Sequence, residues 1–302
     1  MNLKRKIEQE VFKIISWIAA LICVGTLGWI LLTIFIGAIP SITLDLFIYS
    51  EFGSPGRGIA NAIAGTLLLA IISNLIAAPI GVSVAIFLQK YSKKGIFTNI
   101  LNRTIDILAG TPSIVIGLFG LFFFAFALRS ITGGFSLMSG SLALIFVVLP
   151  VIIRSVESAI SSVPLVYEEG SYALGATKYQ TLKKITLPTA IPGILTGLIL
   201  GIGSAVEQSA VVLLTAGYNQ FFPEFGIYPP DREALMGVLL FDTQIRPLQQ
   251  PIASLPIAIF NAFRDPIRIP RSDAFAIAFV LITIIIILNS IIRFVAWKKS
   301  KI

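Results

Sequence analysis

Histidine is absent from the 302 residues, and cysteine occurs once, at Cys23. No internal disulfide can form, and no Cys/His metal cluster can be assembled. Charge is scarce too: Asp, Glu, Lys and Arg make up 13% of the chain, about half the share of a soluble domain. No Gly-x4-Gly-Lys-[Ser/Thr] phosphate loop occurs, so any ATP that drives this protein is bound by another chain. With no His and no pair of acids inside the apolar runs, an intramembrane hydrolase has little chemistry to work with.

What is present is apolar. Hydrophobic residues make up 56% of the chain, and the mean hydropathy is +0.92. Six runs are long enough to cross a bilayer: 14–38, 59–88, 100–128, 137–160, 190–216 and 273–297, the last ending on Trp297 as an interfacial anchor. The first is too long for a signal-peptide core and no small-residue cleavage site follows it, so it reads as a retained span. The fold class is an all-α polytopic transmembrane bundle. Three parts are expected: residues 1–58 as tail, first span and loop, 59–297 as the core, and 298–302 as a short tail. Residues 217–272 read as a long Pro-rich excursion with the mixed charges Asp231, Arg232, Asp242, Arg246, Arg264 and Asp265.

The net charge of +8 suggests a nucleic-acid partner only until it is mapped onto the loops. With the N-terminus inside, sixteen of the 23 Lys and Arg residues fall on the inner side. That bias places both termini in the cytoplasm of a multi-pass plasma-membrane protein, with lipid and not nucleic acid as its surroundings.

The longest polar stretch on the inner side is 164–188, PLVYEEGSYALGATKYQTLKKITLP. It reads as two short helices meeting at a bend. Pro164 opens the first, with Glu168 and Glu169 near its positive end. Gly175 stops it, and Thr177 with Gln180 forms a capping-box pattern for the second. Tyr179, Leu182 and Ile185 share a face of that second helix, and Pro188 ends it. Two readings are open, a solvated connecting loop and a docking element for a partner.

Inside the spans, several features have both a functional and a packing reading. Gly193, Gly197, Gly201, Ala205 and Ser209 recur every four residues and would let another helix approach closely, within the chain or at the centre of a permease dimer. Ser204 and Gln208 share a face, and Glu207 is the one acid well inside the fifth span. An acid at that depth costs about 2.5–3.5 kcal/mol and marks a pathway unless it is ion-paired, with Arg129, Arg154 or an Arg of a partner subunit. Thr111, Pro112 and Ser113, after Gly110, interrupt the third span. They are either a plain kink or a broken helix that aims backbone dipoles at an anion. Arg154 reads as snorkelling to the interface, with Glu157 within one turn.

Glu169-Gly170-Ser171, with Gly175 six residues after the Glu and Ile185-x-Leu187-Pro188 beyond, resembles the EAA-x3-G loop of ABC-importer permeases. The resemblance extends through Asn61–Thr66, Ala78–Val82, Leu108–Phe119, Leu149–Arg154, Tyr172–Lys178 and Leu255–Asn261 to PstA-type permeases of phosphate ABC importers, covering residues 57 to 297. It implies a type I, MetI-like permease fold and no enzymatic activity. Glu168, Glu169, Gly170, Ser171, Gly175, Tyr179 and Leu182 would form a coupling helix that seats on an ATPase. The implied partners are a PstB-like ATPase dimer carrying ATP and Mg, a PstC-like second permease and a PstS-like phosphate-binding protein. The substrate pathway would involve Thr111, Pro112, Ser113, Ser204, Glu207 and Gln208. One departure is plain. Ser204 stands where the family has Arg, and the acid of the following Gly-Glu-Thr-Ala is shifted by one residue, to Glu207, about 100° around a helix. Another oxyanion, such as molybdate, tungstate or sulfate, is the alternative substrate, and an autonomous channel or secondary carrier the alternative class.

Overall fold

The computed structural model describes residues 3–50, 58–93, 95–228, 244–264 and 271–300. It is a helical bundle with one small hairpin. α1 (Leu3–Ala38) is followed by α2 (Leu44–Ile48), α3 (Ala60–Ile86), α4 (Ile96–Gly110), α5 (Ser113–Gly120), α6 (Arg129–Thr132), α7 (Leu137–Ser161), α8 (Leu165–Ala173), α9 (Lys178–Thr181), α10 (Leu187–Val206) and α11 (Ala210–Thr215). The strands β1 (Gly226–Tyr228) and β2 (Gln244–Arg246) pair antiparallel, and α12 (Leu255–Arg264) and α13 (Arg271–Ser300) complete the chain. Among the described residues, five helical stretches are long and apolar enough to cross a membrane: Gln9–Ser41, Ala60–Tyr91, Leu137–Ser161, Lys178–Val206 and Ser272–Ile291. The pair Ile96–Gly110 and Ser113–Ala127 makes a sixth, bent by 100° at the break.

α7 is the central post. Ser136 caps its start by accepting from Ser139 N at 3.1 Å, which satisfies one of the orphan donors of its first turn. Its apolar residues are wrapped by α3 and α10, with Ala77, Val148, Ile152, Val156 and Ala205 buried between them. Small residues set the spacing. A methyl added at Gly193 would lie 2.5 Å from Ala159 Cβ, and one at Gly197 2.8 Å from Ser155 Cβ. One at Gly201 would lie 2.7 Å from Asn74 Oδ1 and 2.9 Å from Ile152 Cγ1. Within this chain the glycine stripe is therefore covered by α7 and α3, the packing arrangement of the two readings. α1, by contrast, touches the bundle mainly along α13, where Phe35 meets Phe279 edge to face and Gly37 lies against Phe275.

Three sequence expectations change, and the interruption read at Thr111, Pro112 and Ser113 is present as a broken helix. The fifth span is not one helix: it stops at Val206 and restarts at Ala210, and the break holds three successive polar residues, Glu207 and Ser209 exposed and Gln208 half-buried. Ser209 therefore leaves the stripe, and the helical face shared by Ser204 and Gln208 is lost. Pro188 does not end a helix. The preceding turn, Leu182–Thr186, widens to i→i+5 bonding and runs straight into α10, which absorbs the donor that proline lacks.

The third span is folded sharply at Thr111-Pro112, where Pro112 cannot donate and sits extended (ψ 134°) at the start of α5. The excursion after Gly217 returns into the bundle. Ile252 N donates to Ala216 O, Leu137 N to Gln250 O, and Leu255 N to Thr66 Oγ1 at 2.8 Å. α12 then buries Leu255, Ile257, Ala258 and Ala262. This re-entry brings Ala253 O so close to Gly65 that no side chain fits there. Of the charges named for this segment, Asp231, Arg232, Asp242 and Asp265 lie outside the described residues, as do the side chains of Arg246 and Trp297.

Candidate functional site

The bend at 164–188 is built from its own sequence. α8 ends in a Schellman arrangement: Ala176 N donates to Ser171 O at 3.1 Å and Gly175 N to Tyr172 O at 2.9 Å. Gly175 adopts φ +80°, a conformation that costs an L-residue about 1–2 kcal/mol. The next helix starts in a full capping box. Gln180 N donates to Thr177 Oγ1 at 3.3 Å, and Thr177 N to Gln180 Oε1 at 2.8 Å. Two caps back to back fix the angle of the elbow without help from the rest of the bundle.

The elbow is inverted relative to an ordinary surface helix. On α8 only Glu168 and Ser171 are buried, three residues apart and on the bundle side. The outward side carries Leu165, Val166, Tyr167 and, at the tip, Leu174, which is 91% exposed. Glu169 and Gly170 are exposed as well. Tyr179 is exposed while Leu182 is buried, so the face expected to hold both is divided between partner side and bundle side. Lys183 leans over the Tyr179 ring at 6.0 Å, and Lys178 over Tyr91 at 5.1 Å.

The inward side is polar and fully matched. Glu168 Oε1 accepts from Lys90 Nζ at 2.5 Å and from Thr186 Oγ1 at 2.7 Å. Ser171 Oγ pairs with Thr181 Oγ1 at 2.9 Å. Burial alone would push the Glu168 carboxyl up. The bonds from Lys90 and Thr186, with the positive charges of Lys90 and Lys178, outweigh it and hold the group below the ordinary glutamate range. Glu168 therefore faces the bundle and Glu169 faces away, a separation that two adjacent carboxylates in a sequence do not announce.

Arg154 pairs with Glu157, as its spacing of one turn suggests, and with two residues of α4 besides. From α7 its guanidinium donates to Glu157 at 2.7 Å, to Asp106 at 2.5 Å and to Asn102 Oδ1 at 3.0 Å, tying α7 to the polar face of α4. Sequence reasoning missed Asn102 and Asp106. Their i,i+4 spacing opposite Ile100 and Ile107 was the available signal. The pathway candidates lie at two breaks, before α5 and around the gap before α11, and those two helices pack together, with Gly117 against Ala210 and Val211. Thr111 Oγ1 donates back to Ile107 O at 2.7 Å, Pro112 is exposed, and Ser113 is the first residue of α5. Ser204 is half-buried near the end of α10, and the exposed Glu207 and half-buried Gln208 form the break that follows. No ion pair of Glu207 occurs among the described residues; Arg154 is committed to Asp106 and Glu157.

A family model described as binding-protein-dependent transport system inner membrane component matches residues 77–300, and the chain belongs to that family. It is a multi-pass membrane transport subunit and not an enzyme. More particularly, it is similar to the phosphate transport system permease protein PstA of Yersinia pestis, 31% identical over 262 residues, with 85% of this chain and 80% of that protein covered. PstA of Pasteurella multocida is 29% identical over 299 residues, covering 98% and 97% of the two chains. Among solved structures, a bacterial alginate ABC transporter in complex with its pentasaccharide-bound periplasmic protein aligns at TM-score 0.60 and 15% identity, over 100% of this chain and 99% of that one. The inward-facing MetNI methionine ABC transporter aligns at TM-score 0.58 and 18% identity, over 80% and 95%. At those identities the likeness is one of fold.

Proposed function

We propose that this chain is one permease subunit of an ATP-driven importer of inorganic phosphate, with the α8 elbow seated in a separate ATPase subunit. The observation that carries this reading is the inverted elbow. An apolar outward face, capped on both sides of the bend and held by polar groups behind, has no use in water and suits a hydrophobic groove on a partner. The Lys/Arg bias supports a cytoplasmic side for this end and for both termini. ATP and Mg are bound by a PstB-like ATPase dimer. A PstC-like permease completes the pathway, and a PstS-like protein delivers phosphate from outside. Closure of the ATPase dimer displaces the elbow, and the third to fifth spans re-angle in an alternating-access cycle.

The similarity to PstA permeases along most of the chain supports phosphate as substrate. The displaced acid at Glu207 and the serine at 204 favour a second reading, the same machine carrying molybdate, tungstate or sulfate. Uptake into proteoliposomes holding the whole complex separates the two. ATP- and binding-protein-dependent uptake of labelled phosphate, competed by phosphate and not by molybdate, is expected. Competition by molybdate alone would overturn the substrate, and flux through this chain without ATPase would overturn the class.

A further inference from the structure

Between the elbow and the bundle a single carboxylate oxygen joins three elements. Glu168 Oε1 lies on α8. Its first donor, Lys90, lies in the turn Phe87–Tyr91 that prolongs α3, 78 residues away in sequence. Its second donor, Thr186, lies at the foot of α10. All three groups are withdrawn from water: Glu168 and Thr186 are buried, and the Lys90 side chain is 18% exposed. Lys178 over Tyr91 makes another link between the elbow and the end of α3.

An apolar seam can slide by a rotamer change. A buried, charge-assisted pair has one geometry, and separating it strands a charge, which is strongly unfavourable. The adjacent Glu169 is exposed and takes no part in this seam.

We propose that Glu168 is a positioning residue of the transport cycle: held by Lys90 and Thr186, it makes the elbow, the end of α3 and the foot of α10 move as one body. This rests on the permease reading above. A displacement imposed on the outward face of α8 then reaches the second and fifth spans together, without slack between them.

The test uses the assembled complex in proteoliposomes, with labelled phosphate as the probe. Glu168→Gln and Lys90→Met each remove the ion pair while leaving the exposed face of α8 untouched. The reversed pair, Lys90→Glu with Glu168→Lys, restores it. The quantities read are co-purification with the ATPase, ATP hydrolysis, and phosphate taken up per ATP. Both single variants are expected to co-purify and hydrolyse ATP, with uptake per ATP reduced about tenfold, within the range of couplings between distant sites. The reversed pair is expected to recover a large part of that ratio. An unchanged ratio in both single variants overturns the proposal. So does loss of co-purification that the reversed pair does not restore, since the pair would then serve folding alone. Absence of ATP-driven uptake in the unsubstituted complex would instead refute the permease reading.

Discussion

Gly201 and Gly203 lie one turn or less apart on α10 and should respond differently to the same substitution. A methyl at Gly203 meets nothing within 4 Å among the described residues, so Gly203→Ala gains the helix propensity of alanine, about 1 kcal/mol. A methyl at Gly201 would lie 2.7 Å from Asn74 Oδ1 and 2.9 and 3.0 Å from two carbons of Ile152. Neither neighbour is the free end of a long chain: both sit on helices locked against α10. Overpacking of this kind costs about 1–3 kcal/mol, which cancels or exceeds the propensity gain. Among the described residues the buried Asn74 Oδ1 has no hydrogen-bond partner, so nothing draws it aside to make room for that methyl. Gly201→Ala should therefore be less stable than Gly203→Ala by about 1–3 kcal/mol. Equilibrium unfolding of the chain in mixed micelles, followed by circular dichroism, measures the difference. Equal shifts in the same direction would mean that α10 does not approach α3 and α7 at Gly201 as described.

Two further outcomes follow from the elbow. Gly175→Val forces a β-branched residue to φ +80° where there is space around it, so the change is conformational and costs about 1–2 kcal/mol. ATP hydrolysis by the complex should persist while uptake falls, and normal uptake per ATP would count against a rigid elbow. Because Glu168 is held below its ordinary value of 4.5, its charged form stabilises the fold fully above that pH, and the contribution is lost as pH falls through the lowered folded value. Glu168→Gln should flatten the acid limb of an unfolding-versus-pH curve. An identical limb in both proteins would show that the Lys90 contact contributes no stability.

The spans were legible because apolar runs of bilayer length have few other uses, and the elbow because Gly175 and the Thr177/Gln180 pair are local signals with local causes. What was hidden depends on distant partners. Which of Glu168 and Glu169 turns inward is decided by Lys90, and the partners Arg154 takes besides Glu157 lie on α4, at Asn102 and Asp106. The break at 207–209 had a visible sign in three consecutive polar residues, but treating the apolar run as one helix averaged it away. Pro188 misled for a different reason: a proline in the first turn of α10 is compatible with a helix that entered through a wider turn.

That entry through a wider turn leaves Lys178–Val206 as one unbroken rod of 29 residues. At a 1.5 Å rise per residue it is about 44 Å long. A tilt of about 5° at its foot would swing the far tip by about 4 Å on that length. The tip is Glu207, at the gap before α11. On that length a small displacement at Thr186 would be magnified toward the gap before α11.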